Sequence, residues 1–371
     1  MRRSSIPTLV CCGTLATALV AAPAHARPGS EPETIAEGLA GPLTLAVHDS
    51  SPRVYVTQSF AGRLTKIDRS GQTDLVVDDN PAGEVVGVSL GGGGVYYIQT
   101  DYEGWSSHVY RIGPRGDVTR VSDDLFAYEE MHNPDGGATY GFTGLSDSCE
   151  EELKAFEADN AGMLPPLSEY TGIIESHGYQ TSVQGRDVYV ADAAANAVLK
   201  VDGRTGSIST VAVLPATPTT FDAAAHATME GTTGMEIPDC LVDSTVVPEP
   251  VPTDVEVGPD GMLYVSTLQG WMGEIAPLSS VYRVDPSSGA TTWVAGGMHG
   301  ATGLDLRGSD IVVAEMFGFQ VSMIPSGSSS AQPLFWAHSP ADVEVHGSTL
   351  YATTGTFDEE NGGSVVRLRM R

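Results

Sequence analysis

The amino-acid sequence predicts an all-β fold, a six-bladed β-propeller with two insertions on one face, and three observations carry the prediction. An apolar-aromatic strand recurs six times: RVYVTQ around Tyr55, VYYIQT around Tyr97, DVYVAD around Tyr189, MLYVST around Tyr264, DIVVAE around Val312 and TLYATT around Tyr351. Successive copies lie 42, 92, 75, 48 and 39 residues apart, so the two long intervals hold one repeat of roughly 40 to 50 residues plus an insertion. Around each copy, period-2 alternation broken by Gly, Pro and Asp turns gives four short antiparallel strands per repeat, the unit of a propeller blade.

The elements follow in order. Each aromatic strand is preceded by a first strand (PLTLAV, EVVGVSL, GYQTSV, PTDVEV, ATGLDL, PADVEV) and followed by a third (RLTKID, HVYRIG, AVLKVD, SVYRVD, QVSMIP, SVVRLR). Turns such as DGRTGS and DPSSGA then lead into a fourth, as in STVAVLP and TTWVAGG. The last repeat stops after SVVRLRMR, while ETIAEGLAG near the N-terminus resembles a fourth strand, so the N-terminal strand is expected to complete the last blade and leave no orphan edge. The repeat is interrupted at about 125–175, where CEEELKAFEADNAG reads as a helix, and at about 220–250. Both interruptions fall between a fourth strand and the next first strand. Those connections emerge on the same face of a propeller as the second-to-third loops, and long loops on one side of a rigid scaffold are where function usually sits.

Composition bounds the rest. Arg2 and Arg3, an apolar run and the A-x-A pattern Ala24-His25-Ala26 read as a signal peptide over residues 1–26, cleaved after Ala26, which predicts a secreted, extracytoplasmic protein without stable membrane insertion. Removing it takes the formal charge from −28 to −30, so nucleic acid and anionic membranes, which require basic patches, are excluded as partners. A small molecule or an extracytoplasmic protein remains, and the chain is expected to be a monomer. Cys149 and Cys240 are the cysteines left after cleavage, and in an oxidising compartment they read as a disulfide between the two insertions.

Candidate chemistry concentrates on the first strands. Asp254 and Glu256, and again Asp342 and Glu344, stand two apart and point the same way, with Asp305 on the strand between. Carboxylates converging on a channel could bind a divalent metal, Ca²⁺ or a transition ion; alternatively, each accepts N–H groups from a neighbouring blade. His177, His299 and His338 lie in loops entering first strands, and with Asp254 and Asp342 they form the candidate metal set. The second-to-third loops hold Tyr102, Trp105, Trp271, Phe317, Phe319 and Phe357, a candidate aromatic rim for ligand. Gly87-Val88-Ser89-Leu90-Gly91 matches G-x-S-x-G but runs along a first strand, the wrong context for a serine nucleophile.

The stretches EPVPTDVEVGPDGMLYVSTL, GRDVYVADAAANAVLKVDGRTGSISTVAVLP and AYEEMHNPDGG resemble the ScyD/ScyE family of secreted bacterial proteins. ADAAANAVLKVD is more loosely similar to NHL-repeat and gluconolactonase-like propellers. The resemblance implies an exported propeller and supplies no catalytic residues. It points to a binding or interaction protein with no certain cofactor, the alternative being a metal-dependent, lactonase-like hydrolase with its metal at the channel mouth.

Overall fold

Wherever apolar and polar residues alternate between turn residues, the chain forms strands, and in the computed structural model, which describes residues 31–48, 53–78 and 83–370, they assemble into seven four-stranded antiparallel sheets. The chain divides into two compact units. The smaller comprises Gly137–Gly172 and Ala216–Glu249, and the larger holds the remaining described residues. The predicted signal peptide lies outside the described residues.

The larger unit contains six of the sheets, here blades I to VI, with first strands Pro42–Val47, Gly83–Gly91, Gly178–Gln184, Pro252–Val257, Ala301–Arg307 and Val343–His346. In each blade the strands neighbour one another in sequence order, and each first strand packs against those of the blades before and after it, I to VI and back to I. Six first strands thus line a closed ring, the core of a β-propeller. The outermost strand of blade VI is Glu33–Leu39, paired antiparallel with Gly363–Arg369, as the sequence predicts. Arg367 fixes this closure by gripping Glu33 at 2.9 Å through both Nε and Nη2.

Buried side chains between neighbouring blades hold the ring. Tyr189, Val198 and Ala212 of blade III pack with Val255, Val265 and Tyr282 of blade IV, and equivalent clusters occupy the other junctions. The third-to-fourth turns add a backbone contact. In DPSSGA, Asp285 Oδ1 accepts the Ser287 N–H at 2.8 Å, and Gly289 takes φ +72° where a Cβ would lie 2.4 Å from the carbonyl oxygen of Val211 on the preceding blade. Gly71 does the same against Ile35, so the Asp and Gly of these turns set both the turn and the distance between blades.

The smaller unit is a sheet of four short strands, Tyr170–Thr171, Thr139–Thr143, Ser244–Val247 and Thr219–Phe221 in that spatial order, with two helices. The helix Asp147–Asp159, within the predicted segment, is capped by Ser146; the helix Ala223–Thr233, read from sequence only as insertion, is capped by Asp222. Cys149 and Cys240 form the predicted disulfide, 91 residues apart. In the chain-entropy picture, closing a loop of that length stabilises by roughly 4 to 5 kcal/mol. Two shorter helices belong to the larger unit: Leu125–His132 after blade II and Gly270–Ile275 within blade IV. No helix among the described residues is long and apolar enough to cross a membrane.

Candidate functional site

The first-strand acids are positioned by the ring. Asp254 accepts the Leu304 N–H of blade V at 2.6 Å, Asp305 accepts the Val345 N–H of blade VI at 2.6 Å, and Asp342 accepts the Leu45 N–H of blade I at 2.7 Å. The second oxygen of each takes the N–H of the residue that follows it, Val255, Leu306 and Val343. Asp342 also accepts Gln180 Nε2 from blade III at 3.0 Å. The remaining three junctions are stitched by hydroxyls. Thr44 Oγ1 accepts the Val88 N–H, Thr181 Oγ1 donates to the Gly87 carbonyl, and Ser182 Oγ accepts the Val257 N–H while donating to Glu256. Every junction of the ring therefore carries a side-chain bridge between first strands.

Acids gathered this way repel one another. Burial, then Asp342 and Glu256, raise Asp254 well above the ordinary carboxyl range; burial, then Asp305, does the same to Glu256 and Glu344. Burial lifts Asp342 to about 8 and Asp305 to about 6, against the pull of their N–H donors. A side-chain hydrogen bond with Glu344 helps to hold Asp305 lower than burial alone would, while the nearby Asp305 adds to burial in raising Glu344.

The channel mouth lies where first strands begin and second-to-third loops turn. Its polar part is in blades II and III. Tyr102 Oη donates to Glu84 Oε2 at 2.9 Å, and His177 Nε2 lies 2.7 Å from the same oxygen. The His177 side chain is 32 % exposed and that of Glu84 11 %. Burial alone would lower His177, but Glu84 outweighs it and holds the imidazole above its ordinary value; Glu84 itself is lowered despite burial because His177 and Tyr102 favour its charge. Behind His177, its N–H donates to Asp192, which also accepts Ser176 Oγ at 2.6 Å, so the loop cannot drift. Tyr179, two residues on, is raised well above its ordinary value by burial, with Glu84, Asp342 and Asp254 adding to it.

The apolar part of the mouth is in blades V, VI and I. Phe357 stacks on Phe60 with centroids 6.2 Å apart and meets Phe317 at 6.5 Å. Phe60 is 64 % exposed and Phe357 46 %, a continuous solvent-facing aromatic patch. Half-buried Phe317 and Tyr179 both pack on the apolar cluster containing Leu43, Met316 and Ala341.

Of the aromatic rim read from sequence, Phe317 and Phe357 come together, and Phe60, which sequence reasoning missed, completes them. Phe319 instead lies 5.9 Å from the His338 ring, Trp105 packs edge-on against Phe126 at 5.6 Å, Tyr102 belongs to the Glu84 pair, and Trp271 stands on the short helix of blade IV. The candidate metal residues are dispersed. His177 meets Glu84, His299 Nε2–H donates to the Glu274 carbonyl at 2.9 Å, His338 faces Phe319, and Asp254 and Asp342 bridge blades. Among the described residues, no three His, Cys, Asp or Glu side chains are spaced as one metal-ligand set. Ser89 lies along its first strand and bonds Thr181 Oγ1 at 2.6 Å, as its context predicts.

Ring, strand order and closure define a β-propeller. The chain is similar in fold to an oxidoreductase (glucose dehydrogenase) from Thermus thermophilus, at TM-score 0.54 and 15 % identity, covering 91 % of this chain and 99 % of the other. It is also similar to the PQQ-bound aldose sugar dehydrogenase of Streptomyces coelicolor (TM-score 0.52, 12 % identity, 92 % and 99 % covered) and to a gluconolactonase of Xanthomonas campestris (TM-score 0.53, 10 % identity, 91 % and 89 % covered). At these identities the likeness is one of fold alone. No protein-family model and no curated protein sequence matches the chain.

Proposed function

We propose that the protein is an extracytoplasmic binding propeller of the ScyD/ScyE kind, which holds a small molecule with a flat apolar body at the channel mouth. The observation that carries this reading is the Phe60–Phe357–Phe317 patch, three rings from successive blades in which Phe357 meets both others and Phe60 and Phe357 face solvent. Ligand sites pair apolar walls with a few placed polar groups, and His177 with Glu84 supplies such a group on the same mouth. The disulfide fits an oxidising compartment. An anilinonaphthalene sulfonate titration followed by fluorescence tests the reading, since that probe is aromatic and anionic. One saturable site, lost in Phe60→Ser and Phe357→Ser, is expected; absence of saturable binding, or unchanged binding by both variants, overturns it.

One observation favours a second reading as a lactonase-like hydrolase. A partly exposed imidazole held by a buried carboxylate has the arrangement of a general base. Turnover of lactones or esters that falls at least a hundredfold in Glu84→Gln would establish it, and sensitivity to chelator would add a metal to it.

A further inference from the structure

On the face opposite the mouth, the third-to-fourth turns bring neighbouring blades together, and their glycines set how closely. A Cβ on Gly71, Gly206 or Gly289 would lie within 3.3 Å of a carbonyl oxygen of the preceding blade, whereas Gly116 and Gly327, also at positive φ, have nothing within 4 Å. Gly327 lines a cavity of about 290 Å³ between blades IV and V. Its apolar lining is Val294, Ile311 and Ile324, and its polar lining includes Tyr264 and Arg283, with Ser309 exposed at the edge. Tyr264 and Arg283 stand opposite one another in the register of second and third strands. Three donors converge there on one oxygen: Asp260 Oδ2 takes Arg283 Nε at 2.9 Å, Arg283 Nη2 at 2.8 Å and Tyr264 Oη at 3.3 Å. Asp260 Oδ1 takes the Met262 N–H. The Nε edge of the guanidinium is thus spent on Asp260, while its outer edge, Nη1 with the second Nη2 N–H, meets no acceptor among the described residues.

A guanidinium edge with two parallel N–H groups matches a carboxylate in shape and charge. Apolar walls favour a hydrocarbon body beside it. We propose that the cleft between blades IV and V binds a small aliphatic carboxylate, its oxygens on the outer edge of Arg283 and its chain along Val294, Ile311 and Ile324. Phosphate or sulfate suits the cavity less, because neither has an apolar part to place there. The net charge of −28 does not bar an anion. Asp260 is held by Tyr264 and the Met262 N–H as well as by Arg283, and Asp310, the next acid along the lining, is engaged by the Ser326 N–H. Repulsion from acids further off is screened beyond about 8 to 10 Å. Turns and strand ends of this face also carry Arg115, Arg186, Arg204 and Arg307 between their aspartates. The cleft lies on the other face from the mouth, and the proposal does not depend on what the mouth binds.

Sodium hexanoate titrated into the mature protein by calorimetry at constant ionic strength, with hexanamide as the uncharged control, tests the proposal. One saturable hexanoate site per chain is expected, with hexanamide at least tenfold weaker. Arg283→Gln should weaken hexanoate at least tenfold, whereas Arg111→Gln, at the same register position opposite Tyr96 in blade II, should leave it unchanged. Should Arg283→Gln fail to fold, Ser309→Phe, an exposed change that narrows the cavity, is expected to give the same loss. Absence of saturable hexanoate binding, equal binding of hexanamide, or unchanged binding by the folded variant of Arg283 or Ser309 overturns it.

Discussion

Three junctions of the propeller ring, IV–V, V–VI and VI–I, carry carboxylate bridges, Asp254, Asp305 and Asp342, with the Thr253 and Thr302 hydroxyls adding bonds to the Ala301 and Ala341 carbonyls at the first two, whereas I–II, II–III and III–IV are bridged by the hydroxyls of Thr44, Thr181 and Ser182. Both sets of junctions solve the same problem, satisfying buried main-chain groups where neighbouring first strands meet. A hydroxyl offers one donor and does not titrate. A carboxyl group accepts from both strands at once, one oxygen to each, but it brings repulsion among five acids and therefore a dependence on pH. This difference explains why first strands that look like core carry acid: the acid is the bridge. Glu84 differs again. Its partners are an imidazole and a phenol rather than main chain.

Removing a carboxylate bridge has the largest expected effect. Asp254→Ala strands the buried N–H groups of Val255 and Leu304, and we expect a loss of about 2 to 4 kcal/mol in urea unfolding. A value near zero would remove the carboxylate bridge from the account. The next effect is on pH. These carboxyls have folded-state values raised above the unfolded ones, so the folded protein binds more protons and stability is fully present below about pH 4. It is lost as pH rises toward the folded values, about 6 for Asp305 and about 8 for Asp342. Melting temperature should therefore decline between about pH 4 and pH 8, and a rise across that window would contradict the assignment. Removing a hydroxyl bridge should cost less. Thr181→Val, which loses the bond to the Gly87 carbonyl, is expected to cost about 1 kcal/mol and to leave the pH profile unaltered. The smallest effect on stability belongs to the mouth: Phe60→Ser, at an exposed ring, should change unfolding by less than about 0.5 kcal/mol while abolishing probe binding.

Much of the fold was legible because its signals are local and repeated. Alternating strands around Tyr97 or Tyr189 announce themselves, and the resemblance of ETIAEGLAG to a fourth strand sufficed to place the closing strand. The acids of PTDVEV and PADVEV stood out because alternation brought them twice to the same side, although sequence left open whether they bridged blades or bound metal. The smaller unit's sheet was not legible, since strands as short as Thr219–Phe221 pair with Ser244–Val247 across a helix and show no alternation of their own. Glu84 was passed over because it is a lone acid in an apolar strand, and its meaning comes from His177, 93 residues away. Phe60 sits in a three-residue turn of helix that no pattern marks. Equal slots in the repeat also proved weaker than partners. His299 and His338 enter their blades alike, yet one holds a carbonyl and the other a phenyl ring.

The channel acids bridge main chain between blades, whereas the mouth acid Glu84 is held by the side chains of His177 and Tyr102. Equilibrium urea unfolding of Asp342→Ala beside Glu84→Gln tests that division directly. Asp342→Ala, which abandons the N–H groups of Leu45 and Val343 and the Gln180 amide, is predicted to lose about 2 to 4 kcal/mol, and Glu84→Gln less than about 1 kcal/mol. Equal losses, or a larger loss at Glu84, would contradict it.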